Sequence, residues 1–326
     1  MKKMFSIVIL LLCISASVFA FAEKQERIIW MAAEVPWGDQ YLVYYDFEDS
    51  ARIGPRFVNE RAWLVYAIDC EPGAYYVLEK EMSLEEISND QSTVVTIMHF
   101  DGEANTPYVE NLTLEDPFQY IAYLNGFLYY TKWQTTICEE KEPTEELCLV
   151  RVKKDRHPEV VAKLPEEDVW YWYWYPMISE RGDLVYAYND EKSDCDMIVY
   201  ISSFGEGSIE GGYNALWMDA DNILYTFGGI LYCYNLEKKE SQVFLDEAGQ
   251  SIPMPFAYSL ITINKNKDTL AYFVDRPDEE MPKEYRDAFQ GKPYTLSLIT
   301  GEHRLIEEAD FIGDNSLMTW WGEQVI

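Results

Sequence analysis

Short apolar runs follow one another along the chain, each closed by a cluster of Asp, Asn, Gly or Ser. No long stretch keeps the 3.6-residue period of an amphipathic helix. The pattern is plainest between Ala215 and Leu245. There Ala215 to Met218 is apolar and leads into Asp219-Ala220-Asp221-Asn222, side chains that bond their own backbone and tolerate left-handed φ. Ile223 to Phe227, the reversal Gly228-Gly229, Ile230 to Tyr234, a charged turn and Gln242 to Leu245 complete the unit. These are four strands, A to D, joined by tight turns.

The A-to-B hairpin recurs with other residues: Met177-Ile178, SERGD, Leu184 to Tyr188; and Ile261 to Ile263, NKNKD, Thr269 to Phe273. Looser copies are Ile121 to Leu124, Asn125-Gly126, Phe127 to Tyr130; Phe311-Ile312, GDNS, Leu317 to Trp321; and Phe57-Val58, NERA, Trp63 to Ile68. The C-to-D hairpin recurs at Leu149 to Leu164 and at Tyr294 to Ile306. From Leu128 through Leu184, Leu224 and Leu270 to Leu317 the steps are 56, 40, 46 and 47 residues, the spacing of a repeat built from one four-stranded sheet. A lone antiparallel sheet cannot bury both faces, whereas sheets set radially cover one another. The pattern therefore predicts an all-β propeller of four-stranded antiparallel blades, with a β-sandwich as the alternative.

Six blades are expected, and seven is the runner-up. Phe311 to Trp321 reads as strands A and B with nothing after them, while Arg27 to Met31 and Tyr41 to Asp46 precede the first complete unit. The N-terminal strands are thus expected to close the last blade. Residues 23–326 form a single domain in this reading. Residues 1–22 have the parts of a secretory signal: Lys2 and Lys3, an apolar run from Ile7 to Cys13, and Ala20-Phe21-Ala22 as a small-x-small cleavage site. Leu12 stands before Cys13 where a lipoprotein signal wants a small residue, and the apolar run is short for a membrane span. An extracytoplasmic protein, secreted or held in the cell envelope and not embedded in a membrane, is the expectation.

Composition sharpens this. The 326 residues carry a net charge of −31, and 25 of them are tyrosine, which suits pleated, half-buried strands. In a propeller the A-to-B and C-to-D turns share one end of the ring and the B-to-C and D-to-A connections the other. Here Asp69 to Gln91, Trp133 to Leu147, Asn189 to Asp194 and Asp275 to Lys292 are B-to-C connections, and Pro165 to Tyr171 and Asp246 to Pro255 are D-to-A connections. Length and acidity gather at that end, where Asp69 to Gln91 holds seven acidic residues against Lys80. Such a surface disfavours nucleic acid, which needs a basic footprint, and suits a cationic partner, a divalent ion or simple solubility.

Long connections on a rigid scaffold are where binding residues collect. The run WYWYWY, Trp170 to Tyr175, sets Trp170 and Trp172 on one side of a strand entering from the loop-rich end. They are candidates to stack on a sugar ring or an aromatic or cationic ligand, and otherwise pack between blades. Trp133, and Tyr285 in a short helix expected over Met281 to Phe289, are further candidates. Five cysteines follow the signal; Cys138 and Cys148 flank a polar tip that a disulfide could staple, and Cys233 reads as a small buried hydrophobe. His99, His157 and His303 all fall in or beside C-to-D hairpins and are not expected to converge. No nucleophile elbow, phosphate loop or zinc motif is present, and no cofactor or metal is implied. Paired carboxylates could still serve a glycosidase.

SERGDLVYAY and NKNKDTLAYF, with the strand pair YTLSLITGEHRLI, resemble the hairpins and following strands of TolB-like six-bladed propellers, a family similar in turn to the propeller domains of prolyl oligopeptidase relatives. The resemblance implies a fold and a habit of protein or peptide contact, and no catalytic residue. The function expected is a non-enzymatic module that binds a protein, peptide or cell-wall component. The alternative is a carbohydrate-binding protein or carbohydrate-active enzyme.

Overall fold

The computed structural model describes residues 26–33, 40–46, 51–56, 62–68, 70–71, 73–80, 92–136, 144–164, 176–190, 195–254, 259–264, 266–274, 293–306 and 318–322. Every regular element among them is a β-strand, and these fall into six antiparallel sets of four. The set we number blade 1 joins the two ends of the chain: β24 (Met318–Gly322) pairs with β1 (Glu26–Ala33), which pairs with β2 (Gln40–Asp46) and through it with β3 (Ala51–Arg56). Blade 2 is β4 (Ala62–Ile68), β5 (Ala74–Glu79), β6 (Ser92–Phe100) and β7 (Asn105–Glu115). Blade 3 is β8 (Pro117–Leu124), β9 (Phe127–Thr136), β10 (Thr144–Lys153) and β11 (Glu159–Lys163). Blade 4 is β12 (Met177–Ile178), β13 (Leu184–Asp190), β14 (Cys195–Ser202) and β15 (Gly205–Glu210). Blade 5 is β16 (Tyr213–Trp217), β17 (Asn222–Phe227), β18 (Ile230–Asn235) and β19 (Glu240–Val243), and blade 6 is β20 (Ser259–Ile263), β21 (Thr269–Val274), β22 (Pro293–Ser297) and β23 (His303–Leu305).

The leading strands close a ring: β4 lies against β8, β8 against β12, β12 against β16, β16 against β20, β20 against β24, and β24 against β4. A six-bladed propeller results. One joint differs from the rest, because β4 and β8 pair in parallel through Tyr66–Ala122, Ala67–Tyr123 and Ile68–Leu124, so blades 2 and 3 share one eight-stranded sheet.

Alternation along each strand explains the stacking. Leu224 packs with Leu270 and Leu296 of blade 6, while its neighbours Ile223 and Tyr225 pack with Val185, Ile198 and Tyr200 of blade 4. Blade 5 is thus apolar on both faces, which a two-layer sandwich would not require. Tyr75, Tyr76, Tyr130 and Tyr272 are among the largest fully buried side chains, and they account for part of the tyrosine content. Tight turns follow the residues that permit them: Asn125 and Gly126, and Gly228 and Gly229, all have positive φ, as two-residue hairpins of the primed type need.

Three expectations change. Among the described residues the closing blade takes one strand from the C-terminal segment and three from the N-terminal segment, where two and two were expected; the strand expected at Phe311-Ile312 lies outside the described residues. β3 (ARIGPR) escaped notice because an outermost strand needs no continuous apolar run. The hairpin expected over Phe57 to Ile68 is not a blade unit: β3 ends blade 1 and β4 opens blade 2, with residues 57–61 outside the described set. Finally, the acidic connection Asp69 to Gln91 contains β5, whose apolar AYYVLE pairs with both β4 and β6. Its flanking charges had concealed it.

Candidate functional site

At the end of the ring where β9 leaves for β10, Trp133 is half-buried opposite Leu147. Its ring meets Phe118 edge-on, centroids 6.4 Å apart, and Phe118 is 43% exposed at the start of β8. On the other face of the same blade Trp63, near the start of β4, lies 6.0 Å from the ring of Tyr120, whose hydroxyl donates to Glu79 Oε1 at 2.8 Å. Lysines here are matched by carboxylates: Lys132 with Glu115 at 2.7 Å and Lys163 with Glu146 at 2.5 Å. Among the described residues at this end of blade 3, Phe118 is exposed and Trp133 half-buried.

Of the residues singled out in the sequence, Trp170, Trp172, Tyr285 and Cys138 lie outside the described residues, as does the helix expected over Met281 to Phe289. Trp133 is placed at the expected end. Phe118, its neighbour, was not foreseen, although it follows Pro117 at the point where a connection enters a strand. Cys148 is a free, fully buried thiol, and the staple expected between it and Cys138 involves a residue outside the described set. Cys148 faces Lys132, four ladder positions, or about 13 Å, in from the Thr136–Thr144 pair that ends the hairpin. Burial raises its pKa, and Gln134 Oε1 lies 3.7 Å from its sulfur. Cys233, pushed up to about 11 first by burial and then by Asp219, is the buried hydrophobe expected.

The opposite end is built from self-closing turns. Ser179 Oγ accepts the amides of Arg181 and Asp183. Asp219 Oδ1 accepts the amide of Asp221 and the Asn222 side chain, and Asn264 Oδ1 accepts the amides of Asp268 and Thr269. Asp219 to Asn222 is thereby a turn, as read from the sequence. Arg181 ties two blades together: its Nη2 donates to Ala220 O and to Asp221 Oδ1, Asp183 Oδ2 is 3.5 Å from Nε, and the guanidinium lies over Phe204. The pair is half-exposed, so its loss costs about 1 kcal/mol. Arg181→Ala therefore lowers the melting temperature by about 2 °C, read by circular dichroism, without changing the fold. Lys267 sits under the same turns, its pKa lowered by burial and drawn back up by Glu180 and Asp219.

The histidines stand in three different blades. His99 is buried against Tyr75, His157 is exposed on the β10–β11 turn, and His303 lies in β23. Among the described residues no group of three His, Cys, Asp or Glu side chains is placed to hold a metal ion, and no helix is long and apolar enough to cross a membrane.

No protein-family model matches the chain, and no curated protein matches it. Solved structures do. A protein from Lactobacillus plantarum is 10% identical, with 91% of this chain and 99% of that one covered at a TM-score of 0.46. A TolB-type protein from Agrobacterium tumefaciens is 10% identical, with 93% and 100% covered at 0.44. The tricorn protease is 10% identical over 90% of this chain and 30% of its own, at 0.40. At this identity and these scores the fold rests on the strand pairing itself, which is that of a six-bladed β-propeller.

Proposed function

We propose that the chain is an exported, non-catalytic binding module whose loop-bearing end engages a protein, a peptide or another component of the cell envelope. The observation that carries this reading is the ring itself. It sets exposed Phe118 and half-buried Trp133 at one end of the ring, the end at which the sequence plan expects its long acidic connections. Apolar edges ringed by charge are how a soluble surface marks a contact site. The candidate residues Trp170, Trp172 and Tyr285 belong to connections at the same end of the chain's plan, and we include them in the proposed surface.

The test uses the wild type with Phe118→Ala and Trp133→Ala. Photo-cross-linking in intact envelopes is expected to yield one defined partner that both variants lose, while Arg181→Ala at the opposite end retains it. A glycan array on which the wild type binds a defined sugar, and Trp133→Ala or Trp172→Ala does not, replaces the reading with the carbohydrate one. Recovery of the mature protein with residues 1–22 still attached in the cytosol overturns export.

A further inference from the structure

The chain holds 26 lysines and arginines against 57 acidic residues, yet Arg151, Lys153, Lys154 and Arg156 crowd together where β10 turns into β11. The turn is fixed by its backbone: Arg156 N donates to Lys153 O at 3.0 Å, and Asp155 takes φ +61. Two of the cations are laid on Phe127, the first residue of β9. The Arg151 guanidinium is 4.8 Å from the ring centroid and Lys153 Nζ is 5.5 Å from it. Arg151 is also paired with Glu159, to which Nε and Nη2 donate at 3.0 and 2.9 Å. Lys153, Lys154 and Arg156 are exposed, and among the described residues none of them forms an ion pair. Asp155 is the one acidic side chain between Lys153 and Pro158.

The corresponding turn of blade 4, Ser202 to Gly205, stands at the same end of the ring. It carries Phe204, 41% exposed although stacked with the Arg181 guanidinium. The two blades meet at this end, where Gly182 comes against the Tyr129 hydroxyl. The flanking turns are of another kind. In blade 2 the turn after β6 holds Asp101 and Glu103, and in blade 5 Lys238 and Lys239 stand between Glu237 and Glu240.

A net charge of −31 acts to keep a protein off an anionic surface. Distance decides the matter here. β9 runs ten residues from this end to the loop-rich one, about 33 Å, which is roughly four times the ~8 Å over which charge is screened in physiological salt. The potential at the turn is therefore set by its own side chains. A lipid surface offers phosphates in a plane with an apolar layer beneath, and so matches the cations and the exposed ring together. A soluble polyanion matches the cations and has no place for Phe204.

We infer that this end of blades 3 and 4 docks on an anionic lipid bilayer, with Lys153, Lys154 and Arg156 on the phosphates and Phe204 in the headgroup layer. The contact is at the other end of the ring from Phe118 and Trp133 and does not depend on them.

Cosedimentation of the chain from residue 23, which holds every described strand, tests this with vesicles of phosphatidylcholine containing about a third phosphatidylglycerol. Binding is expected at about 50 mM salt and release at about 500 mM, with none to phosphatidylcholine alone. Lys153→Gln, Lys154→Gln and Arg156→Gln together weaken it about a hundredfold, about fivefold for each charge. Phe204→Ala weakens it about fivefold. Lys238→Gln with Lys239→Gln, whose charges are balanced by their flanking glutamates, changes it less than about twofold. Should the triple variant not fold, Lys154→Gln with Arg156→Gln leaves Lys153 on Phe127 and is expected to lose about twenty-fivefold. No binding to the anionic vesicles at low salt, or a folded triple variant that binds as the wild type does, overturns the inference. So does binding to soluble polyphosphate as tight as to the vesicles and unmoved by Phe204→Ala, which would make the turn a receptor for phosphate polymer and not for lipid.

Discussion

A chain that stops before Met318 loses cooperative unfolding and becomes sensitive to protease across residues 26–56, while blades 2 to 5 keep their strand signal. β24 supplies five ladder positions to β1, from Glu26–Gly322 to Trp30–Met318. At about 1 kcal/mol net per backbone bond, their loss is on the order of 5 kcal/mol before any apolar surface is counted. That is much of the stability of an ordinary domain. The position matters as well, because β24 is the strand of blade 1 that touches β20 and β4. Without it the ring has a gap one strand wide on the inner side of blade 1, and β1 becomes an unpaired edge. Thermal melting with limited proteolysis reads the outcome. A permutant that places residues 317–326 ahead of residue 26 by a short linker is expected to restore the transition, since the two ends are already neighbours. A truncated protein that melts as the full chain does would show that closure contributes little.

Gly73→Ala is the second large effect. Gly73 turns the chain between β4 and β5 with φ +145, a conformation that L side chains rarely adopt. A Cβ there would lie 2.3 Å from His99 Nε2 and 2.6 Å from the carbonyl oxygen of Phe100. The first contact is with the imidazole of a buried side chain packed on Tyr75, and the second is with backbone held in the β5–β6 ladder. Strain and displacement together cost about 3 kcal/mol. Denaturant unfolding followed by fluorescence measures it. Adding His99→Ala removes one of the two obstacles and is expected to recover only part of the loss, because the Phe100 carbonyl stays. Full recovery would place the whole cost on the imidazole, and a change of under about 0.5 kcal/mol in Gly73→Ala would refute the argument.

The ring was legible where turn chemistry and apolar runs agreed. Leu128, Leu184, Leu224 and Leu270, spaced as a repeat, are all fully buried in the second strand of blades 3 to 6. The hairpins at Asn125-Gly126, Gly228-Gly229 and Asn264 to Asp268 lie where their residues placed them. Strands that carry no apolar run of their own, such as β3, and strands enclosed by charge, such as β5, were hidden, because pairing partners rather than periodicity define them. The site shows the same limit. Trp133 could be found from its place at the mouth of a long connection, but its neighbour Phe118 depends on the register of β8 against β9, which is shifted at two points and cannot be read from either strand alone. The docking of residues 244–254 likewise depends on Ile252 and Met254 reaching across a joint, although both lie in a stretch rich in loop residues.

The six joints of this ring are unequal. Backbone bonds weld blades 2 and 3 into one continuous sheet, and in a circle of six the joint diametrically across from that weld is the one between blades 5 and 6, held by side chains and a hydrogen-bonded flap, residues 244–254. Weld and flap thus face one another across the ring and divide it into two halves of three blades, blades 3 to 5 and blades 6, 1 and 2.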